Sequence, residues 1–186
     1  LLADQDGRKF AAFAAGIHDF GPFLYVAELG LVALFGCHIW IAVRLTLTNT
    51  AARPVAYRVR KPVGESSTAS RSMFITGSIV LGFIIVHLIN FRFAKGLAAP
   101  PAEDLAALVK AVLSEPLWAV IYLAGSIAVG VHLSHGFKSV FQSLGVHHLK
   151  LNLVFYRLGM ALAIVIAMGF AAFPLVGLLI WKGGAQ

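Results

Sequence analysis

Three histidines stand deep inside apolar runs of this 186-residue chain: His38 in LFGCHIW, His87 in FIIVHLI and His132 in AVGVHLS. An imidazole in such a setting is expensive to keep and is retained for chemistry: a proton relay, a hydrogen bond across a helix bundle, or a metal ligand. Four further histidines lie elsewhere: His18, His135, and the adjacent His147 and His148. The single cysteine, Cys37, excludes an internal disulfide framework and any cysteine-built zinc or iron–sulfur site. What the three embedded imidazoles can do depends on the depth at which each is held.

The elements that must hold them are membrane-spanning helices. With 59% hydrophobic and 12% charged residues, the chain falls far below the charged fraction of about a quarter usual for soluble domains. Four stretches have the roughly 20 apolar residues that a crossing requires, at residues 20–43, 73–91, 117–137 and 158–181. Glu28 is the one formal charge in the first, and Pro174 predicts a kink in the fourth. Tyr25, Trp40, Trp118, Tyr156 and Trp181 fall near the ends, where interfacial aromatic belts belong. The reading is an all-α transmembrane bundle forming a single membrane-anchor domain over residues 1–186. Short alternating strands of an outer-membrane barrel are not what these runs resemble. The Ser-rich PVGESSTASRS and the Pro-containing APPAED read as connections.

Orientation follows from the basic residues. The segment from Arg44 to Arg71 carries Arg44, Arg53, Arg58, Arg60, Lys61 and Arg71 against Glu65 alone, which predicts a cytoplasmic loop. Arg92 to Pro116 is balanced in charge, and Lys138 to Arg157 is basic only. The net charge of +7 is therefore read as a topology signal, not as a nucleic-acid surface. This alternation leaves residue 1 on the outer side, and the chain opens with Leu1 without a signal peptide. The expectation is that a fifth, N-terminal span precedes this sequence.

Depth then pairs the histidines. His38 stands six residues before Arg44 and His132 six before Lys138, on two helices that both run from outside to inside. At about 1.5 Å per residue, both imidazoles fall in the cytoplasmic half at matching depth. His87, five residues before Arg92 on a helix of opposite direction, belongs to the outer half. Two imidazoles at one depth on neighbouring helices are the arrangement that ligates a b-type haem from its two faces. Gly125 and Gly136 share a helix face with His132 and would leave room for a flat ring, while Arg44, Arg71 and Lys138 at the inner boundary would pair with haem propionates. His135 would serve near the haem edge or line the bundle; His147 and His148 read as an exposed turn. A second haem would use His87 and a histidine that these rows do not supply.

The order of segments resembles the B-type, di-haem cytochrome b membrane subunit of succinate:quinone oxidoreductase, also called succinate dehydrogenase or fumarate reductase. The resemblance rests on YVAELGLVALFGCHIWIAVRLTLTNTAARPVAY, SRSMFITGSIVLGFIIVHLINF and IYLAGSIAVGVHLSHGFKSVFQSLGV, followed by a last span without histidine. It covers nearly the whole chain, which would correspond to helices two to five of a five-helix protein. The resemblance implies two haems b: His38 and His132 on the high-potential haem near the cytoplasm, and His87 on the low-potential outer haem with its second ligand on the absent helix. It also implies a flavoprotein subunit that oxidises succinate, an iron–sulfur subunit docked on the cytoplasmic face, and residence in a bacterial inner membrane. This polypeptide would then be the electron-transfer and quinone-binding subunit of complex II, joining the tricarboxylic acid cycle to the respiratory chain.

Quinone reduction needs protons beside an apolar slot. His18 and Asp19 next to the first span are the outer candidates, and Glu28 lies a turn or two deeper. A cytoplasmic slot near Arg71, Ser134 or His135 stays open. B-type members commonly use menaquinone, although no residue here reads the quinone ring. Two other readings stand beside this one: a b-type anchor of a nitrate reductase or hydrogenase, and a proton-coupled transporter with the histidines as a relay, which broken helices or internal repeats would favour.

Overall fold

The computed structural model describes residues 8–52, 72–94, 102–146 and 148–181. Every regular element among them is helical. In order these are α1 (Arg8–His18), α2 (Pro22–Ala51), α3 (Met73–His87, continuing as a π-helical turn over Leu88–Arg92), α4 (Ala102–Ser114), α5 (Pro116–Ser143) and α6 (Leu149–Val176, continuing as a π turn over Gly177–Trp181). Four are long and apolar enough to cross a bilayer: Pro22–Ala51, Met73–Arg92, Pro116–Ser143 and Lys150–Trp181. Helices satisfy their backbone groups internally, which hydrocarbon demands. The chain is an integral membrane protein.

Three of these helices extend beyond the expected spans at the end bearing Arg44 and Lys138. The expectation stopped at the first charges, but Thr, Ser and Arg side chains do not end a helix once apolar residues continue its pattern. Thr46 and Thr50 turn their hydroxyls onto the carbonyls of Ala42 and Thr46, at 2.8 Å each, so this polar turn costs the helix no unpaired group.

Corners are set by glycine and proline. Gly21 adopts a positive φ of 54° between α1 and α2, and Pro22 opens α2, where its missing N–H costs nothing. Pro116 plays the same part for α5 and holds Glu115 extended. Between α5 and α6, Gly145 at φ 82° donates to Gln142 O at 3.1 Å while Val146 donates to Phe141 O at 3.0 Å. This is a Schellman turn, and a side chain in place of Gly145 would strain it.

The tightest packing joins α5 to α6 and α3 to α5. Small residues make the close approach possible: Ala119, Gly125, Ser126, Ala128 and Gly130 of α5 are buried. A Cβ on Gly130 would sit 2.8 Å from that of Ala167, and one on Gly159 would sit 3.0 Å from that of Phe137. Phe141 and Phe155 stack at 3.9 Å near the α5–α6 turn. Pro174 is buried within α6, and the helix runs on as far as Val176 before widening into its π turn. By contrast, α2 takes little part in close backbone packing and buries no residue.

Two helices were not expected. The segment from Arg92 to Pro116 reads as a connection, yet α4 occupies most of it and packs against α1, the start of α5 and the π ends of α3 and α6. Leu113 is buried there, its carbonyl pressed on Gly177. The signal was present: Leu105, Leu108, Val109, Val112 and Leu113 recur at the spacing of one helix face. Together α1 and α4 lie across one end of the spans. The Ser-rich segment from Pro62 to Arg71 lies outside the described residues.

The close α5–α6 approach carries a stability prediction. Gly130→Val overpacks the contact with Ala167 and should cost about 1–3 kcal/mol, read from detergent-induced unfolding in mixed micelles. Gly30→Val on α2, with nothing within 4 Å of the added Cβ, should leave the midpoint unchanged.

Candidate functional site

Antiparallel α3 and α5 form a ladder whose rungs fix three levels. At one level Thr76 and Gly77 of α3 meet His132 of α5; at the next Phe83 meets Gly125; at the far level His87 meets Tyr122. His132 and Tyr122 are ten residues apart, so the outer levels are separated by about 15 Å along the helices.

At the first level, His38 of α2 reaches His132. Their ring centres are 6.2 Å apart and their planes nearly perpendicular, at 81°. The structure therefore brings together the two histidines that depth alone pairs. Thr76 Oγ1 lies 3.2 Å from His132 Nδ1. On the same side, a Cβ added to Gly77 would sit 3.1 Å from His132 Cε1, so the ring lies against bare α3 backbone. Neither Thr76 nor Gly77 was singled out in the sequence. The ladder register could have found them, since antiparallel helices place the start of α3 beside the second half of α5.

The spacing fits a shared iron. A metal–imidazole bond is about 2 Å long, and two such bonds in line, with the reach from nitrogen to ring centre on each side, put the ring centres about 6 Å apart. Among the described residues no group of three or more His, Cys, Asp or Glu side chains is placed to hold a bare ion. Two imidazoles alone do not complete a tetrahedral site; a porphyrin, which brings four nitrogens of its own, needs only these two.

The other candidates are placed as follows. Gly125 offers no room for a flat ring, because a Cβ there would overlap the Phe83 ring that already packs on it. Gly136 faces the tip of Met73, 4.0 Å from where its Cβ would be. Arg44 and Lys138 each stand six residues beyond their histidine, about 9 Å along and a third of a turn round the helix. Arg44 is exposed and Lys138 half-buried. Arg71 and His147 lie outside the described residues. His135 and Ser134 are half-buried one turn from His132, and His148 is exposed at the start of α6.

At the far level His87 is ringed by aromatics: Phe91 at 5.2 Å, Tyr122 at 6.1 Å and Phe83 at 6.2 Å between centroids. Asn90 Nδ2 donates to the Tyr122 hydroxyl at 3.4 Å. His87 ends the α-helical part of α3, and the wider π turn follows at once, with Phe93 N–H donating to Leu88 O at 2.8 Å. Arg92, at the end of that turn, forms an ion pair with Glu28 of α2 at 3.3 Å and lies over the Phe93 ring. The Glu28 charge inside the first span thus has a partner that sequence reasoning counted only as a loop boundary. His18 ends α1 and Asp19 follows in the turn; both are exposed.

Comparison with known family models, with curated proteins and with solved structures finds no match for this chain.

The Glu28–Arg92 pair is 38% and 26% exposed at its two side chains. A double-mutant cycle with Glu28→Gln and Arg92→Gln should return a favourable coupling above about 1 kcal/mol in micelle unfolding, because each single variant leaves the other charge without its partner in an apolar span. A coupling near zero would place the pair in water rather than within the span.

Proposed function

We propose that this chain is a haem b-binding membrane anchor, acting as the electron-transfer and quinone-binding subunit of a succinate:quinone oxidoreductase. The observation that carries the reading is the approach of His38 to His132, 6.2 Å between ring centres, across two helices that otherwise make little contact with each other. Side chains that hold an iron between them need that spacing and need their helices held apart by the width of a ligand. The order of histidine-bearing segments and the final histidine-free span support the choice of family.

Bound there, haem would supply one-electron transfer in a medium that water does not enter. The chain's own residues do the rest. His38 and His132 would hold the iron, and Arg44 and Lys138, with Arg71 as read from the sequence, would supply cationic charge for propionates. His87, about 15 Å away along α3, stands in an aromatic enclosure at the level of a second haem, whose other ligand would come from a further span. Flavoprotein and iron–sulfur subunits would dock beside the basic segments that follow α2 and α5. A quinone, menaquinone in the family's usual habit, would be reduced at the α1–α2 corner, with His18 and Asp19 as exposed proton donors; Glu28 is engaged by Arg92. The membrane would be the bacterial inner membrane.

The test is a dithionite-reduced minus oxidised spectrum of the complex purified from membranes, with haem b quantified per copy of this chain. We expect haem b, with His38→Ala or His132→Ala each removing the same component. His87→Ala should leave that component in place. A wild-type complex without haem would sink the reading, and one with haem but without covalent flavin or succinate oxidation would reassign the partner.

A further inference from the structure

We infer that Thr76 is a positioning residue for His132: its hydroxyl accepts a hydrogen bond from Nδ1–H, fixes the imidazole tautomer and turns Nε2 toward the iron. This rests on the reading of His132 as a haem ligand. Thr76 Oγ1 lies 3.1 Å from Ser72 O, 3.2 Å from Met73 O and 3.2 Å from His132 Nδ1. Its one proton can serve only one direction. Donated to the carbonyls of its own helix, it leaves a lone pair for Nδ1–H, and the cluster makes two hydrogen bonds. Donated to Nδ1 it makes one, and the side-chain bond to the helix is lost. The first arrangement wins by one bond in a medium where no water replaces it.

That arrangement has a chemical consequence. With its proton on Nδ1, His132 keeps an unprotonated Nε2 on the other side of the ring, the form that binds iron. A hydrogen bond from Nδ1–H also strengthens the opposite nitrogen as an electron donor, which favours ferric over ferrous iron. Gly77 completes the seat, because a side chain there would crowd Cε1 and Nδ1, at 3.1 and 3.7 Å from the added Cβ. Ring position, tautomer and donor strength are thus all set from the first turns of α3, a helix whose own histidine belongs to the other level.

The test uses the complete complex purified from membranes, with Thr76→Val, which removes the hydroxyl at nearly constant volume, and Thr76→Ser, which keeps it. Redox titration of the haem and the electron paramagnetic resonance of its ferric form are the readouts, together with the rate of haem loss to an apoprotein acceptor. Thr76→Val should shift the oxidised-to-reduced ratio of one haem about tenfold toward ferrous, a rise of 59 mV for a one-electron couple, and loosen that haem about tenfold. Thr76→Ser should match the wild type. Where Thr76→Val fails to accumulate, Thr76→Ala removes the same acceptor and should give the same shift. Wild-type haem with an unchanged potential and unchanged retention in the hydroxyl-free variant overturns the role of Thr76 and leaves the haem reading standing; a wild type without haem overturns both.

Discussion

Helix α2 is tied to the rest of the molecule by polar side chains rather than by close packing of backbones, and much of the structure follows from that. Small residues let α5 and α6 approach until Gly130 leaves no room for a methyl group beside Ala167. Nothing comparable draws α2 in. Among the described residues its polar contacts include His38 with His132 toward one end and Glu28 with Arg92 toward the other. In hydrocarbon there is no general apolar force between helices, so the partners of embedded polar groups decide where a helix stands. A helix held at two polar points keeps a defined distance from its neighbours.

Support for the first level comes from α3. The α3–α5 ladder holds Phe83 on Gly125 and sets Thr76 and Gly77 against His132 with the same register. One antiparallel pairing thereby fixes the seat of His132 and the aromatic enclosure of His87. A slip of α3 along α5 would disturb both together. The far end is capped differently, by α1 and α4 lying across it with Leu113 beneath Gly177.

Much of this was legible in the sequence, for reasons of bilayer physics. The four spans follow from length and apolar content, and the meeting of His38 with His132 follows from counting residues back from the basic boundary. The helix ends lie beyond the first charges, since threonines that bond to their own carbonyls let α2 run on through a polar turn. Helix α4 is harder to read, because its charged start breaks up the apolar content although one face keeps a regular apolar period. Side-chain partnerships were hardest to see. Thr76 with His132, Phe83 in the notch of Gly125 and Arg92 with Glu28 all depend on interhelical register, which no single segment carries.

The π turn that follows His87 is how α3 ends: its last ring closes over five residues, with Phe93 N–H donating back to Leu88 O. Arg92 is the last residue of that widened turn. The tie from α3 to Glu28 of α2 therefore hangs on the manner in which one helix stops, and the terminus of α3 serves as an anchor point for a helix that it scarcely touches.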